Sequence, residues 1–155
     1  MSNVKSKILS YFILILILSI IGAFTSIVFM YGGWIQSEEY ASYYHYAYLL
    51  LLDHLEFNLL ILIIIVFFSY SAVLSIVSLN NHNYLKPLKY YMVAMIFMSS
   101  TFIMTILIFI MIIIYSIGAA SWWLGPAFYA GSSCSLLNTI VYLIIIKFLK
   151  KYRQI

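Results

Sequence analysis

His45, His54, Asp53 and Glu56 are the side chains in this chain best suited to chemistry, and they share one stretch, GGWIQSEEYASYYHYAYLLLLDHLEF, residues 32–57. Imidazoles with carboxylates form the donor set of zinc and similar ions, which makes His45, His54 and Glu56 the metal candidates. A metal site needs ligands that converge. On a helix Asp53, His54 and Glu56 are not i, i+4 neighbours, and His45 and His54, nine residues apart, fall on opposite faces. The cluster is therefore read as a polar collar at the mouth of the apolar run that follows, in preference to a metal centre, and no cofactor is expected. His82 lies in NNHNYLKPLK as a solvated loop residue, with Pro87 suited to a turn or a helix entry. The one cysteine, Cys134, sits in a hydrophobic run with no histidine near it in sequence to act as its base. No P-loop, HExxH or GxSxG pattern occurs, so the chain is not expected to be an enzyme.

The elements that must position these residues follow from composition. The chain has 155 residues, 66% hydrophobic and 8% charged, where a soluble domain is about half apolar and a quarter charged. Eight basic and four acidic side chains cannot clothe a globule of 18.0 kDa in water, and disorder requires the opposite composition. Apolar runs at about 8–31, 58–79, 90–117 and 126–146 each reach the roughly 20 residues that a hydrocarbon core of about 30 Å demands of a helix. In hydrocarbon each backbone amide must find its partner within the segment, and the unbroken run 59–68 lacks the alternation of a membrane barrel. The first run is longer than the roughly 7–15 residues of a signal h-region, and no small-x-small cleavage site follows it, so it is read as retained. The expected fold is all-α, a four-transmembrane-helix bundle forming one membrane domain. Its connections are an outer loop 32–57, an inner loop 80–89 and an outer loop 118–125.

Charge placement sets the expected direction. Lys5 and Lys7 precede the first run, Lys86 and Lys89 separate the second from the third, and Lys147, Lys150, Lys151 and Arg153 follow the fourth. All four acids, Glu38, Glu39, Asp53 and Glu56, fall between the first and second. Basic residues collect on the cytoplasmic side, so both termini are expected in the cytoplasm and the protein in the plasma membrane. Segregation by segment also explains a pI near 9.1 without nucleic acid as partner. Trp34, Trp122 and Trp123 are expected at the outer interface, while Tyr90 and Tyr91 with Lys89 mark the inner edge of the third helix.

The first outer loop is rich in tyrosine. Tyr40, Tyr43, Tyr44, Tyr48 and Leu51 share one helical face, opposite Glu38, Ser42, His45, Asp53 and Glu56, a pattern that predicts an amphipathic helix at the interface. Tyr44, Tyr46 and Tyr48 also alternate as a strand would, but the run 49–52 breaks the alternation and favours the helix.

Within the four cores there is no Asp, Glu, Lys, Arg or His, which argues against a pump, a proton-coupled carrier or a voltage sensor and against histidine-ligated haem in the bilayer. The cores instead carry small residues on stripes: Gly22 and Ser26 with Ser19 and Ala23, Ser71 and Ser75, and Ala127, Gly131, Ser135 and Thr139. Such stripes let helix backbones approach, and packing within the bundle is favoured over a partner interface. Asn138, the most polar core residue, is expected to bond a neighbouring helix. Met92, Met95 and Met98 fit as gap fillers, and Ser99, Ser100, Thr101 and Thr105 can bond back to their own helix.

The string LGPAFYAGSSCSLL, residues 124–137, resembles the start of the last helix in the claudin and PMP22-like tetraspan superfamily. The family's Gly-x-Ala-x-Tyr-x-Gly pattern falls here on Gly125, Ala127, Tyr129 and Gly131. Topology, inner termini, a longer first loop and a tryptophan after the first helix are similar as well. The family's first loop also carries a Trp-Gly-Leu-Trp motif and two cysteines, whereas this loop has Trp34 and no cysteine. The resemblance thus implies a non-catalytic tetraspan that organises contacts, and carries over no pore or junction role. The expected function is association with itself or with a partner membrane protein in the lipid bilayer. The alternative is an accessory subunit of a larger membrane complex, respiratory or oxidase in type. A self-assembled channel with hydroxyl-lined helices ranks last, since no ring of charge lies within the membrane.

Overall fold

The computed structural model describes residues 2–38, 41–47, 55–80 and 87–153. Four long helices result from the four apolar runs: α1 (Ser2–Val28), α2 (Leu55–Asn80), α3 (Leu88–Tyr115) and α4 (Pro126–Arg153). They have 26 to 28 residues, about 40 Å at 1.5 Å per residue, and all four are long and apolar enough to cross a membrane. The helices outrun the apolar segments at their charged ends. α1 begins ahead of Lys5 and Lys7, and α4 continues past residue 146 through Lys147, Lys150 and Lys151. Leaving hydrocarbon does not end a helix, because its backbone bonds remain made. Local chemistry sets other ends. Pro126 occupies the first helical position of α4, where its missing N–H costs nothing. After α3, Gly118 takes φ 83° to reverse the chain.

Parts of the α1–α2 and α3–α4 connections form strands, and the all-α expectation is corrected here. Residues 32–38 and 41–47 form strands β1 (Gly32–Glu38) and β2 (Ala41–Ala47), and the short loop before α4 supplies β3 (Ser121–Leu124). They make one antiparallel sheet in the order β2-β1-β3. The interfacial helix expected across Tyr43 and Tyr44 is therefore replaced by strand. Aromatic residues fit a pleated, half-buried surface, and Gly32–Glu38 provides a hairpin partner that no helical wheel considers. Tyr44 and Tyr46 share a strand face, with rings stacked 6.5 Å apart. Tyr40, Tyr48, Asp53, His54 and the run 49–52, on which the helical reading leaned, lie outside the described residues.

Sheet pairing also fixes topology. Because β3 bonds to β1, the α1–α2 and α3–α4 connections lie at one end of the bundle. The starts of α1 and α3 and the ends of α2 and α4 must then lie at the other. Helix contacts run in a ring, α1 with α2, α2 with α3, α3 with α4 and α4 with α1.

The bundle hides its polar residues within a mostly apolar interior and turns further apolar faces outward. Ser19, Ser26, Ser71, Ser75, Ser78, Thr101, Thr105, Ser135 and Asn138 are buried. Ile20, Phe24, Val66, Val73, Ile103, Ile110 and Ile140 are exposed on the opposite faces. Water would reverse that order, whereas lipid tails accept the apolar faces and leave the hydroxyls to one another. Small residues set the spacing. A Cβ on Gly22 would meet the ring of Phe68, which is fully buried against it.

Gly22→Ala is therefore expected to weaken the α1–α2 contact by about 1–3 kcal/mol, measured by reversible unfolding in detergent. Adding Phe68→Leu should recover part of the loss. A Gly22→Ala protein as stable as the parent would contradict this packing.

Candidate functional site

Two features stand out: a polar seam through the bundle and an aromatic cap over the end that carries the sheet. The seam is a chain of hydrogen bonds across helices. Asn138 of α4 donates through Nδ2 to Ser19 Oγ of α1 at 3.0 Å, and Ser19 Oγ donates to Ser71 Oγ of α2 at 3.0 Å. Ser71 Oγ shares a proton with Tyr142 Oη, 2.9 Å away and back on α4. Asn138 Nδ2 also approaches Met98 Sδ of α3 at 3.6 Å, so all four helices meet here. Asn138 Oδ1 is buried without a hydrogen-bond partner among the described residues.

Smaller ties lie above and below. Towards the cap, Ser26 Oγ and Tyr31 Oη are 2.8 Å apart. A Cβ on Gly131 would stand 3.3 Å from that phenol and 3.2 Å from Thr105 Cγ2, so glycine makes the room. Burial pushes the Tyr31 phenol up to about 12, against the downward pull of its bond with Ser26, and Tyr31 stays neutral under physiological conditions. Towards the other end, Ser78 Oγ donates to Leu74 O at 2.7 Å and lies 3.3 Å from Tyr91 Oη of α3.

Trp34 organises the cap. In β1 it pairs with His45 on one side and Trp122 on the other. Its indole stacks on the His45 ring at 5.1 Å and on the Tyr115 ring of α3 at 5.7 Å, with Phe57 of α2 at 6.4 Å. Tyr115 Oη donates to Glu56 Oε1 at 2.6 Å. Trp34 is thus buried, 2% exposed, rather than open at the membrane edge, while Trp122 is 48% exposed and Tyr44 59%. The far face of the sheet carries Tyr46 edge-on to Trp123 at 6.0 Å. Close approach is needed beneath it, since a Cβ on Gly33 would meet the His45 carbonyl and one on Gly125 the Met30 carbonyl.

The helix-packing candidates Gly22, Ser26, Ser71, Ser75, Ala127, Gly131, Ser135 and Asn138 are all buried. Of these, Ser71 and Asn138 join the seam, while Ser75 and Ser135 bond back to Ser71 O and Gly131 O of their own helices at 2.9 and 2.7 Å. The metal candidates separate: His45 stacks on Trp34, Glu56 takes the Tyr115 hydroxyl, and His54 lies outside the described residues. Among the described residues no three His, Cys, Asp or Glu gather in a group. Lys7, Lys89, Lys147, Lys150 and Lys151 are exposed at the end opposite the cap. Lys5 and Arg153 lie in the terminal turns of α1 and α4, and Lys86 lies outside the described residues.

Sequence reasoning missed Tyr142, Tyr31, Tyr91 and Tyr115, each a tyrosine at a helix-to-helix or helix-to-cap bond. A signal existed for Tyr142, which stands four residues after Asn138 and so on the same face. The seam is a set of neutral donors and acceptors. It can hold helices in register, and it contains no acid–base pair.

Tyr142→Phe and Ser71→Ala are each expected to cost about 0.6 kcal/mol, the average for interhelical hydrogen bonds in membranes. Because both remove the same bond, the double variant should lose less than the sum. Unfolding titrations of the singles and the double test this, and strictly additive losses would show that the bond contributes nothing. No protein-family model, curated protein or solved structure matches the chain.

Proposed function

We propose that this chain is a non-catalytic tetraspan membrane protein that works by association, with another copy of itself or with a partner membrane protein. The observation that carries the reading is how its polar groups are disposed. Inside the spans, Ser19, Ser71, Ser75, Tyr142 and the Asn138 Nδ2 group bond one another or their own helices, with Asn138 Oδ1 unpartnered among the described residues. The recognition features left over are on the cap, where Tyr44 and Trp122 are exposed on strands that form the two edges of the sheet. Exposed aromatic rings are favoured anchors in interfaces, and a strand edge offers unpaired backbone groups.

Both termini in the cytoplasm and residence in the plasma membrane belong to the same proposal, supported among the described residues by seven Lys and Arg at one end of the bundle and by Glu38 and Glu56 at the other. Kinship with the claudin and PMP22-like tetraspans is also proposed, on Gly125, Ala127, Tyr129 and Gly131 and the shared topology.

Sizing in mild detergent should give a particle larger than one 18.0 kDa chain, reduced to the monomer by Tyr44→Ser with Trp122→Ser while the melting temperature holds. A parent that is strictly monomeric with nothing co-purifying would overturn the proposal. For direction, a membrane-impermeant maleimide should label Ser42→Cys and Ser121→Cys in intact cells and Lys150→Cys only after permeabilisation, all in a Cys134→Ser background. The reverse pattern would invert the topology.

A further inference from the structure

We infer that the end of α4 away from the cap holds the phosphate headgroup of an anionic phospholipid. The place is a groove of about 210 Å³ lined by Ile144, Lys147, Phe148 and Lys151. Its surface is almost wholly apolar, so Lys147 and Lys151 border it with their methylene stems and their ammonium groups, on the same flank of the helix, belong at its margin. Lys147 and Lys151 stand one turn apart, with Cβ atoms about 5–6 Å from each other, a span that one phosphate can bridge by accepting from both. Like charges at this spacing repel, and a bound anion relieves that repulsion.

Among the described residues no side-chain carboxylate competes for the site. All four acids fall in residues 38–56 of the sequence, and the two that are described, Glu38 and Glu56, lie at the opposite end of the bundle. The apolar wall is fixed in place: the Phe148 ring meets Tyr11 of α1 at 6.3 Å. Lys7 is exposed on α1 one turn beyond Tyr11, towards the same end, and adds to the positive field. Ile144 lies on the bilayer side of both lysines, where the glycerol and first acyl carbons of a lipid would run.

Lysines at a helix C-terminus also complement the helix dipole and anchor a span at headgroup level. That general role covers Lys150 and Lys89 equally. What distinguishes Lys147 and Lys151 is the groove between them. A second groove of similar size, about 200 Å³, lies towards the same end between α2 and α3, lined by Tyr70, Val73, Leu74, Val77 and Tyr90. No lysine is among its lining residues, and Lys89 instead lies over the Tyr90 ring at 5.4 Å. Basic pockets of membrane helices that select anionic lipid headgroups combine charge with apolar walls, and of these two grooves the one on α4 is bordered by lysines.

The assignment rests on the membrane reading of the bundle, and only the choice of leaflet rests on the proposed orientation. Native mass spectrometry of the full chain, with phosphatidylglycerol and phosphatidylcholine of identical acyl chains, is independent of both orientation and association. Phosphatidylglycerol should be retained in preference, and Lys147→Gln with Lys151→Gln should reduce that preference about thirtyfold, as two ammoniums at an anionic surface imply. Lys147→Arg with Lys151→Arg should keep it, as should Lys89→Gln, and excess inorganic phosphate should not displace the lipid. A preference unchanged in the double glutamine variant, lost equally in Lys89→Gln, or abolished by inorganic phosphate would overturn the inference.

Discussion

A polar group inside a membrane has nowhere to turn except to another polar group, and that constraint governs this protein. Asn138, Ser19, Ser71 and Tyr142 are buried in the middle of the bundle, where lipid cannot serve them. Their bonds specify how each helix is rotated. Turning α1 by one residue would carry Ser19 away from both Asn138 and Ser71 and bring Ile20 inward. A helix pair held by apolar packing alone has no such preference, since lipid tails are as apolar as leucine. The seam thus contributes specificity more than strength, each bond being worth under about 2 kcal/mol. The small residues act with it, since Gly22 lets α1 and α2 approach closely enough for Ser19 to reach Ser71.

The cap depends on the bundle in turn. A three-stranded sheet with one four-residue strand is close to the minimum that can persist, and it needs a hydrophobic support. Trp34 supplies the link by stacking on Tyr115 while its strand pairs with both neighbours. The chain enters the sheet through Tyr31, whose N–H bonds Ala47 O at 2.8 Å and whose carbonyl accepts from Gly125 N at 2.9 Å. Its phenol reaches back to Ser26. One residue therefore ties the exit of α1, the hairpin and the entry of α4. The Gly125-x-Ala127-x-Tyr129-x-Gly131 string acquires a physical reason here. Gly125 and Gly131 clear space for Met30 and Tyr31, and the Ala127 N–H bonds Met30 O at 3.3 Å.

The four spans were legible because a run of twenty apolar residues has few other uses, and the expected ranges differ from the helices mainly at charged ends. The sheet was not legible, for a reason visible in β1. Gly32 and Gly33 weaken any local strand signal, yet they are what allows His45 and Trp123 to come close on either side. Their partners lie in β2 and, far along the chain, in β3. Periodicity sees neighbours in sequence, and β3 is about 85 residues from β1. Asn138 could be singled out as the polar centre, whereas its partner Ser19 is one of many serines. Only the tertiary crossing of α1 and α4 says which serine it meets. Tyrosine misled most, because Tyr40, Tyr43, Tyr44 and Tyr48 fit a helical face while Tyr44, Tyr46 and Tyr48 fit a strand, and pairing with β1 decided for the strand across 41–47.

Charge and polarity divide the molecule into three zones with different freedoms. The middle zone has neutral donors and acceptors and no ionisable acid or base apart from phenols and one thiol, so nothing there changes charge at ordinary pH. A substitution in that zone acts through packing. At the cap, rings and strand edges provide surface, with Glu56 already engaged by Tyr115. At the far end, basic side chains stand without acidic neighbours, where an anionic bilayer surface attracts each by about 1 kcal/mol. The exposed aromatic rings of the cap and the basic side chains are thereby set at opposite ends of the bundle. The two ends can diverge in sequence without disturbing each other, provided the helices between them keep Asn138 facing Ser19.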